Sequence, residues 1–185
     1  MLSKFRQKKM TSLFRNWDFD HDGYLERSDY VLVAFRLAEL AGWLAGSNEY
    51  TALVEGYLAG WNHLKALGDA DDDDKVTVDE YLQVQEHDLQ DKERWRKEVI
   101  GLQYFIFCAV DQDGDQHLTQ NEFARIVQAY GVEEEMSREV ARRFDKNGDD
   151  LIPFTDLFEY LDDFYYGEDP QAIGTFIAGI FDTKD

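Results

Sequence analysis

Between residues 111 and 122 the chain reads DQDGDQHLTQNE. Carboxylates fall on alternate residues, Asp111, Asp113 and Asp115, and a longer one, Glu122, follows the apolar Leu118. Alternation along a turning loop aims three side-chain oxygens inward. A hard divalent cation such as Ca²⁺ takes six to eight oxygens at about 2.3–2.6 Å. In a twelve-residue loop of this kind, positions 1, 3 and 5 give side-chain oxygens, position 7 gives its carbonyl, position 9 often holds a water, and position 12 closes the shell with a carboxylate. That register assigns Asp111, Asp113, Asp115, the carbonyl of His117 and Glu122 to one ion.

Three further stretches fit the same register: DFDHDGYLERSD from Asp18 to Asp29, DADDDDKVTVDE from Asp69 to Glu80, and DKNGDDLIPFTD from Asp145 to Asp156. Their candidate ligands are Asp18, Asp20, Asp22, Tyr24 (carbonyl) and Asp29; Asp69, Asp71, Asp73, Lys75 (carbonyl) and Glu80; and Asp145, Asn147, Asp149, Leu151 (carbonyl) and Asp156. This is the EF-hand calcium loop. Position 8 must be apolar where paired loops bridge, and it is Leu25, Val76, Leu118 and Ile152. A lone acidic run such as Asp71 to Asp74 reads more naturally as a solvated helix cap. Four tandem matches to one register favour ligands instead.

The loops differ in ways that grade their chemistry. Position 6 requires φ > 0, which Gly23 adopts freely and Asp74, Gln116 and Asp150 adopt at a cost of about 1 kcal/mol each. Glu80 and Glu122 are long enough to bind through both oxygens, whereas Asp29 and Asp156 favour six-coordinate, Mg²⁺-tolerant geometry. Mg²⁺ is therefore expected to compete with Ca²⁺ best at the Asp18 and Asp145 loops. The fourth loop departs furthest: Asn147 removes a charge, and Pro153 removes any side-chain ligand at position 9.

Around the loops the hydrophobic period is helical. Met10, Leu13, Phe14 and Trp17 lead into the first loop, and Tyr30, Val33, Ala34 and Leu37 leave it. Similar stripes flank the others. Loop starts at 18, 69, 111 and 145 lie 51, 42 and 34 residues apart, so the first interval is long. The expected fold is all-α: an N-terminal EF-hand pair over 1–90, a C-terminal pair over 91–166, and an apolar tail over 167–185 packed on the core. The tail is expected to restart as a helix at Asp169-Pro170, with Ile173, Phe176, Ile177, Ile180 and Phe181 on one stripe.

Composition narrows the partners. Against 39 Asp+Glu stand 19 Lys+Arg, a formal charge of −20 over 185 residues, which disfavours nucleic acid and anionic membrane. An aromatic content of 15% argues for a packed protein rather than a disordered acidic one. The single Cys108 allows no internal disulfide, which fits a reducing compartment, and an apolar helix face there predicts a buried thiol. The basic residues Lys4, Arg6, Lys8 and Lys9 precede no apolar run, and position 2 is Leu, so neither a secretory signal nor N-myristoylation is expected. The four histidines (His21, His63, His87 and His117) form no nucleophile–base arrangement, and no catalytic centre is expected.

The four-loop layout, the stretched first interval, Asp29 at position 12, and Tyr165-Tyr166-Gly167-Glu168-Asp169-Pro170 before an apolar tail together resemble the sarcoplasmic calcium-binding proteins; calerythrins and calexcitin are similar. The resemblance spans essentially the whole chain, with DFDHDG and AVDQDGD its most specific parts. It implies two EF-hand pairs packed face to face in a cytoplasmic Ca²⁺ and Mg²⁺ buffer. In several such relatives the second loop is dead, yet here Asp69, Asp71, Asp73 and Glu80 preserve its acids. A calcium sensor is the alternative. Sensors use Met-rich grooves, and this chain has 3 Met against 13 Phe and 10 Tyr, which favours the buffer. A photoprotein-like ligand binder is the remote reading; that chemistry relies on a late His and a terminal Pro, and here the last His is His117. No protein target is indicated, and a monomer is expected.

Overall fold

The computed structural model describes residues 1–179. Tail positions Ile180 and Phe181 lie outside the described residues. Eight α-helices carry this part of the chain: α1 Lys4–Trp17, α2 Arg27–Leu40, α3 Asn48–Gly68, α4 Val78–Asp88, α5 Lys92–Val110, α6 Gln120–Ala129, α7 Glu134–Phe144 and α8 Phe154–Tyr166. Each loop holds a short strand: β1 Tyr24–Leu25, β2 Val76–Thr77, β3 His117–Thr119 and β4 Leu151–Pro153. The fold is all-α, as its helical periodicity required.

The loops pair through these strands. β1 runs antiparallel to β2 with Leu25 opposite Val76, and β3 to β4 with Leu118 opposite Ile152. All four position-8 side chains are at most 1% exposed, so each bridge is roofed by core. Apolar side chains there are obligatory because the bridging backbone leaves no water to solvate anything else.

The two pairs meet through α1 against α8 and α2 against α6. At the seam the Tyr57 and Tyr130 hydroxyls lie 2.7 Å apart, and Gln103 Nε2 donates to Tyr130 Oη at 2.9 Å. Trp17 packs among Tyr30, Tyr57 and Tyr130, with centroid distances of 4.9, 6.1 and 5.9 Å. Burial raises the pKa of the Tyr57 phenol well above the ordinary value and that of Tyr130 to about 12.

A second tie runs from α1 to the end of α8. Lys9 is fully buried, and its Nζ donates to Asp163 O at 2.9 Å and Gly167 O at 2.7 Å, neutralising carbonyls at a helix C-terminus. Arg6 Nε donates to Tyr165 O at 2.9 Å beside it.

Two expectations change. The segment after Pro170 is a turn and a short 3-10 helix, Ile173–Phe176, rather than an α-helix. Asp169 Oδ1 accepts from Gln171 N and Asp169 O from Thr175 Oγ1, closing a tight turn. A Cβ on Gly174 would stand 2.0 Å from Tyr160 O, so the chain is pressed onto α8 there, and Gly179 at φ +101° ends any helical path. Cys108 is exposed rather than buried. The buried face of α5 runs through Trp95, Ile106, Phe107 and Val110, which turns Cys108 outward beside the exposed Tyr104.

Candidate metal centres

Each loop begins where a helix stops. Asp18, Asp69, Asp111 and Asp145 are the C-cap residues of α1, α3, α5 and α7. From there one hydrogen-bond pattern recurs. Asp18 accepts from Asp22 N (3.1 Å) and Gly23 N (3.0 Å), and Asp69 from Asp73 N (3.0 Å) and Asp74 N (3.1 Å). Asp111 accepts from Gly114 N (2.8 Å) and Gln116 N (2.9 Å), and Asp145 from Gly148 N (2.8 Å) and Asp150 N (2.9 Å). Position 5 then accepts from position 7: Asp22 from Tyr24 N, Asp73 from Lys75 N, Asp115 from His117 N and Asp149 from Leu151 N, all between 2.8 and 3.0 Å. These bonds wind the backbone so that carboxylates on alternate residues converge.

Convergence is measurable. In the sets Asp18/Asp20/Asp22, Asp69/Asp71/Asp73 and Asp111/Asp113/Asp115, one oxygen from each residue lies within 4.8 Å of the others. Two oxygens bound to one Ca²⁺ at about 2.4 Å are separated by no more than about 4.8 Å, so these spacings meet the distance requirement for sharing one ion. The donors are all hard oxygens, which suits Ca²⁺ or Mg²⁺ over softer metals. Asn147, standing between Asp145 and Asp149, donates from Nδ2 to Asp149 Oδ2 at 2.8 Å and keeps its Oδ1 turned to Asp149 N at 3.2 Å.

Position 12 is held by the exiting helix. Asp29, Glu80 and Glu122 accept from the backbone N–H groups of Glu26 (2.8 Å), Thr77 (2.9 Å) and Thr119 (2.9 Å), each closing a capping box. In the fourth loop Pro153 has no N–H, so α8 has no side-chain cap and Asp156 faces Lys146 Nζ at 3.5 Å instead.

The electrostatics bear the mark of crowded acids. The Asp29 carboxyl is raised above its ordinary value, first by burial and then by the charges of Asp20 and Asp18, while Asp71 is raised chiefly by Asp73. Hydrogen bonds from Thr77 hold Glu80 low. At Asp145 burial pushes upward, but bonds from Gln120, Asp150, Gly148 and Asp149 outweigh it and leave the group low. Asp22 is lowered chiefly by its hydrogen bond to Lys75.

Three features escaped the sequence reading. Position 4 also takes a left-handed backbone: His21 and Asp72 at φ +59° and +60°, Gly114 and Gly148 at +72° and +75°. The two glycines were the available signal. Gln120 Nε2 donates to Asp145 Oδ2 at 2.8 Å, tying position 10 of the third loop to position 1 of the fourth. The Lys75 side chain crosses to the first loop, a contact that only the strand pairing reveals.

Two of the cavities among the described residues lie between the helices. One is lined by Leu13, Phe107, Phe123, Leu161 and Phe164, with Ile177 and Ala178 of the tail in its wall. The other, of about 480 Å³, separates α3 from α5 and is walled by Trp17, Tyr57, Trp95 and Tyr130. Among the described residues no helix is long and apolar enough to cross a membrane.

Known proteins share this geometry. A family model described as an EF-hand domain pair matches residues 102–161. Calerythrin of Saccharopolyspora erythraea is 25% identical over 177 residues, 94% of this chain and 100% of its own. The sarcoplasmic calcium-binding protein beta chain of a Penaeus species is 31% identical over 113 residues, covering 58% of this chain and 57% of its own. A Streptomyces coelicolor calcium-binding protein, whose structure is described as a basis for prokaryotic calcium-mediated regulation, superposes with a TM-score of 0.69 at 26% identity, covering 86% of this chain and 97% of its own.

Proposed function

Because the chain belongs to the EF-hand calcium-binding proteins of the calerythrin and sarcoplasmic type, we propose that it buffers Ca²⁺, with Mg²⁺ as competitor, rather than signalling it. The proposed ligands are the side chains at positions 1, 3, 5 and 12 and the position-7 carbonyls of the four loops. Fifteen of these ligands are carboxylates. Without metal they repel at close range, and each ion relieves part of that repulsion, so binding and folding are coupled. Affinities of about 10⁻⁸ to 10⁻⁶ M are expected for the Asp18 and Asp111 loops.

One observation carries the buffer reading: the apolar interior is covered from within. Ile177 and Ala178 stand in the wall of the C-terminal cavity, and Asn16 Nδ2 on α1 donates to Ala178 O at 2.7 Å, fixing the tail between the halves. A sensor needs a surface that calcium uncovers. Here that surface is occupied by the same chain.

A sensor is the second reading, favoured by the regulatory description of the Streptomyces coelicolor relative and by Phe35 and Leu44, which are 50% and 79% exposed. An apolar fluorescent dye separates the two. Calcium lowers or leaves unchanged the dye signal of a buffer and raises that of a sensor; a severalfold rise on calcium addition would overturn the buffer reading.

A further inference from the structure

The first loop carries a cation of its own. Lys75 belongs to the second loop, yet its Nζ lies 2.9 Å from Asp22 Oδ2, forms a second ion pair with Glu26, and sits 4.7 Å from the Tyr24 ring centroid. Strand pairing puts it there: Tyr24 faces Thr77 and Leu25 faces Val76, so the next step of the antiparallel register brings Lys75 opposite Glu26. The ammonium stands over the Tyr24 ring and reaches the carboxylate at position 5. The contact therefore has a fixed address, unlike a surface lysine swinging in solvent.

The C-terminal pair supplies the comparison. Its register brings Leu151 opposite Thr119, the same relation that Lys75 bears to Glu26, and an apolar side chain stands where the ammonium would be. Asp115, the counterpart of Asp22, has His117 Nδ1 at 3.5 Å, a partner of opposite charge only when that ring is protonated.

We infer that Lys75 is a tethered competitor for the first loop, an internal monovalent cation that lowers the loop's affinity for Ca²⁺ and Mg²⁺ and makes that affinity sensitive to salt. The inference rests on the divalent-ion reading of that loop. An ion bound by Asp22 at about 2.4 Å would stand within roughly 5–6 Å of the ammonium, where a double and a single positive charge repel. Both side chains are about one-third exposed, Lys75 at 36% and Asp22 at 32%, so water and salt screen the repulsion without abolishing it. Entry of the divalent ion displaces the ammonium from Asp22 or endures it; either way affinity falls. Because Lys75 also offers its carbonyl to the second loop, filling one loop changes the charge felt by the other.

The test uses the full chain, ¹⁵N-labelled and titrated with Ca²⁺, following the position-6 amides of Gly23 in the first loop and Gln116 in the third. Lys75→Met keeps an unbranched apolar side chain and removes the charge; Lys75→Arg keeps the charge. Lys75→Met is expected to move the Gly23 midpoint to about three- to tenfold lower Ca²⁺ at low salt, and by less than about twofold in 0.5 M KCl. Gln116 should stay put, and Lys75→Arg should track the parent. A Gly23 amide that responds equally in parent and Lys75→Met overturns the inference alone. One that ignores calcium in both overturns the reading of the loop as well.

Discussion

Five residues other than glycine hold positive φ, namely His21, Asp72, Asp74, Gln116 and Asp150, and all five lie at positions 4 or 6 of the loops. Strain placed so regularly marks a backbone wound for a purpose. It also sets what substitution does. Glu122→Gln, by removing one negative charge and one strong donor from position 12, should abolish binding at the third loop and spare the first, which titration calorimetry would report as one site fewer. Gly131 is a different case. At φ +91° a Cβ would stand 1.9 Å from Asn16 O, so Gly131→Ala must part the end of α6 from the end of α1 and should cost more than about 2 kcal/mol in denaturant unfolding. The need for φ > 0 at position 6 was legible from ligand register alone, and so was the apolar bridge at position 8. Position 4 was not, because His21 and Asp72 hid what Gly114 and Gly148 betrayed.

At the scale of elements, helix ends do most of the positioning. Three exiting helices begin with capping boxes whose acids are also the proposed position-12 ligands, so helix start and ion shell share a side chain. The tail shows where periodicity misleads. Ile173, Phe176 and Ile177 have helical spacing, but Gly174 nests against α8 and the i→i+3 bonds of a 3-10 turn win. Gly174→Ala is therefore expected to lift the tail and raise apolar-dye binding of the calcium-loaded protein severalfold; unchanged dye binding would mean that the tail does not seal the cavity. Lys9, between α1 and α8, makes a pH prediction. Burial, against the pull of Glu168 and Asp163, lowers its pKa from 10.5 to about 8. Between those values the unfolded chain holds more protons than the folded one, so Lys9 makes stability rise as pH climbs from about 8 toward 10.5. Lys9→Met should remove that slope and, by stranding the carbonyl of Gly167, cost about 1–3 kcal/mol at neutral pH. Such a tie joins residues 154 and 158 positions apart, and no local pattern announces it.

For the molecule as a whole, charge dominates. Four divalent ions would take the formal charge from −20 to −12. Each site saturated at 100 times its dissociation constant adds about 2.7 kcal/mol to stability, so chelation should lower the melting temperature markedly, and added KCl should stabilise the metal-free protein more than the loaded one. Scanning calorimetry with and without chelator checks both. The halves themselves are joined by aromatic rings and the Tyr57–Tyr130 hydroxyl contact, which no stretch of sequence places side by side. That contact has an optical consequence. Phenols sealed in this seam refuse to ionise at alkalinities where free tyrosine already turns to phenolate, so their near-ultraviolet absorbance stays silent until the seam parts. An alkaline jump would then display two populations of tyrosine, one prompt and one delayed, and the delayed step would clock the separation of the halves without any label.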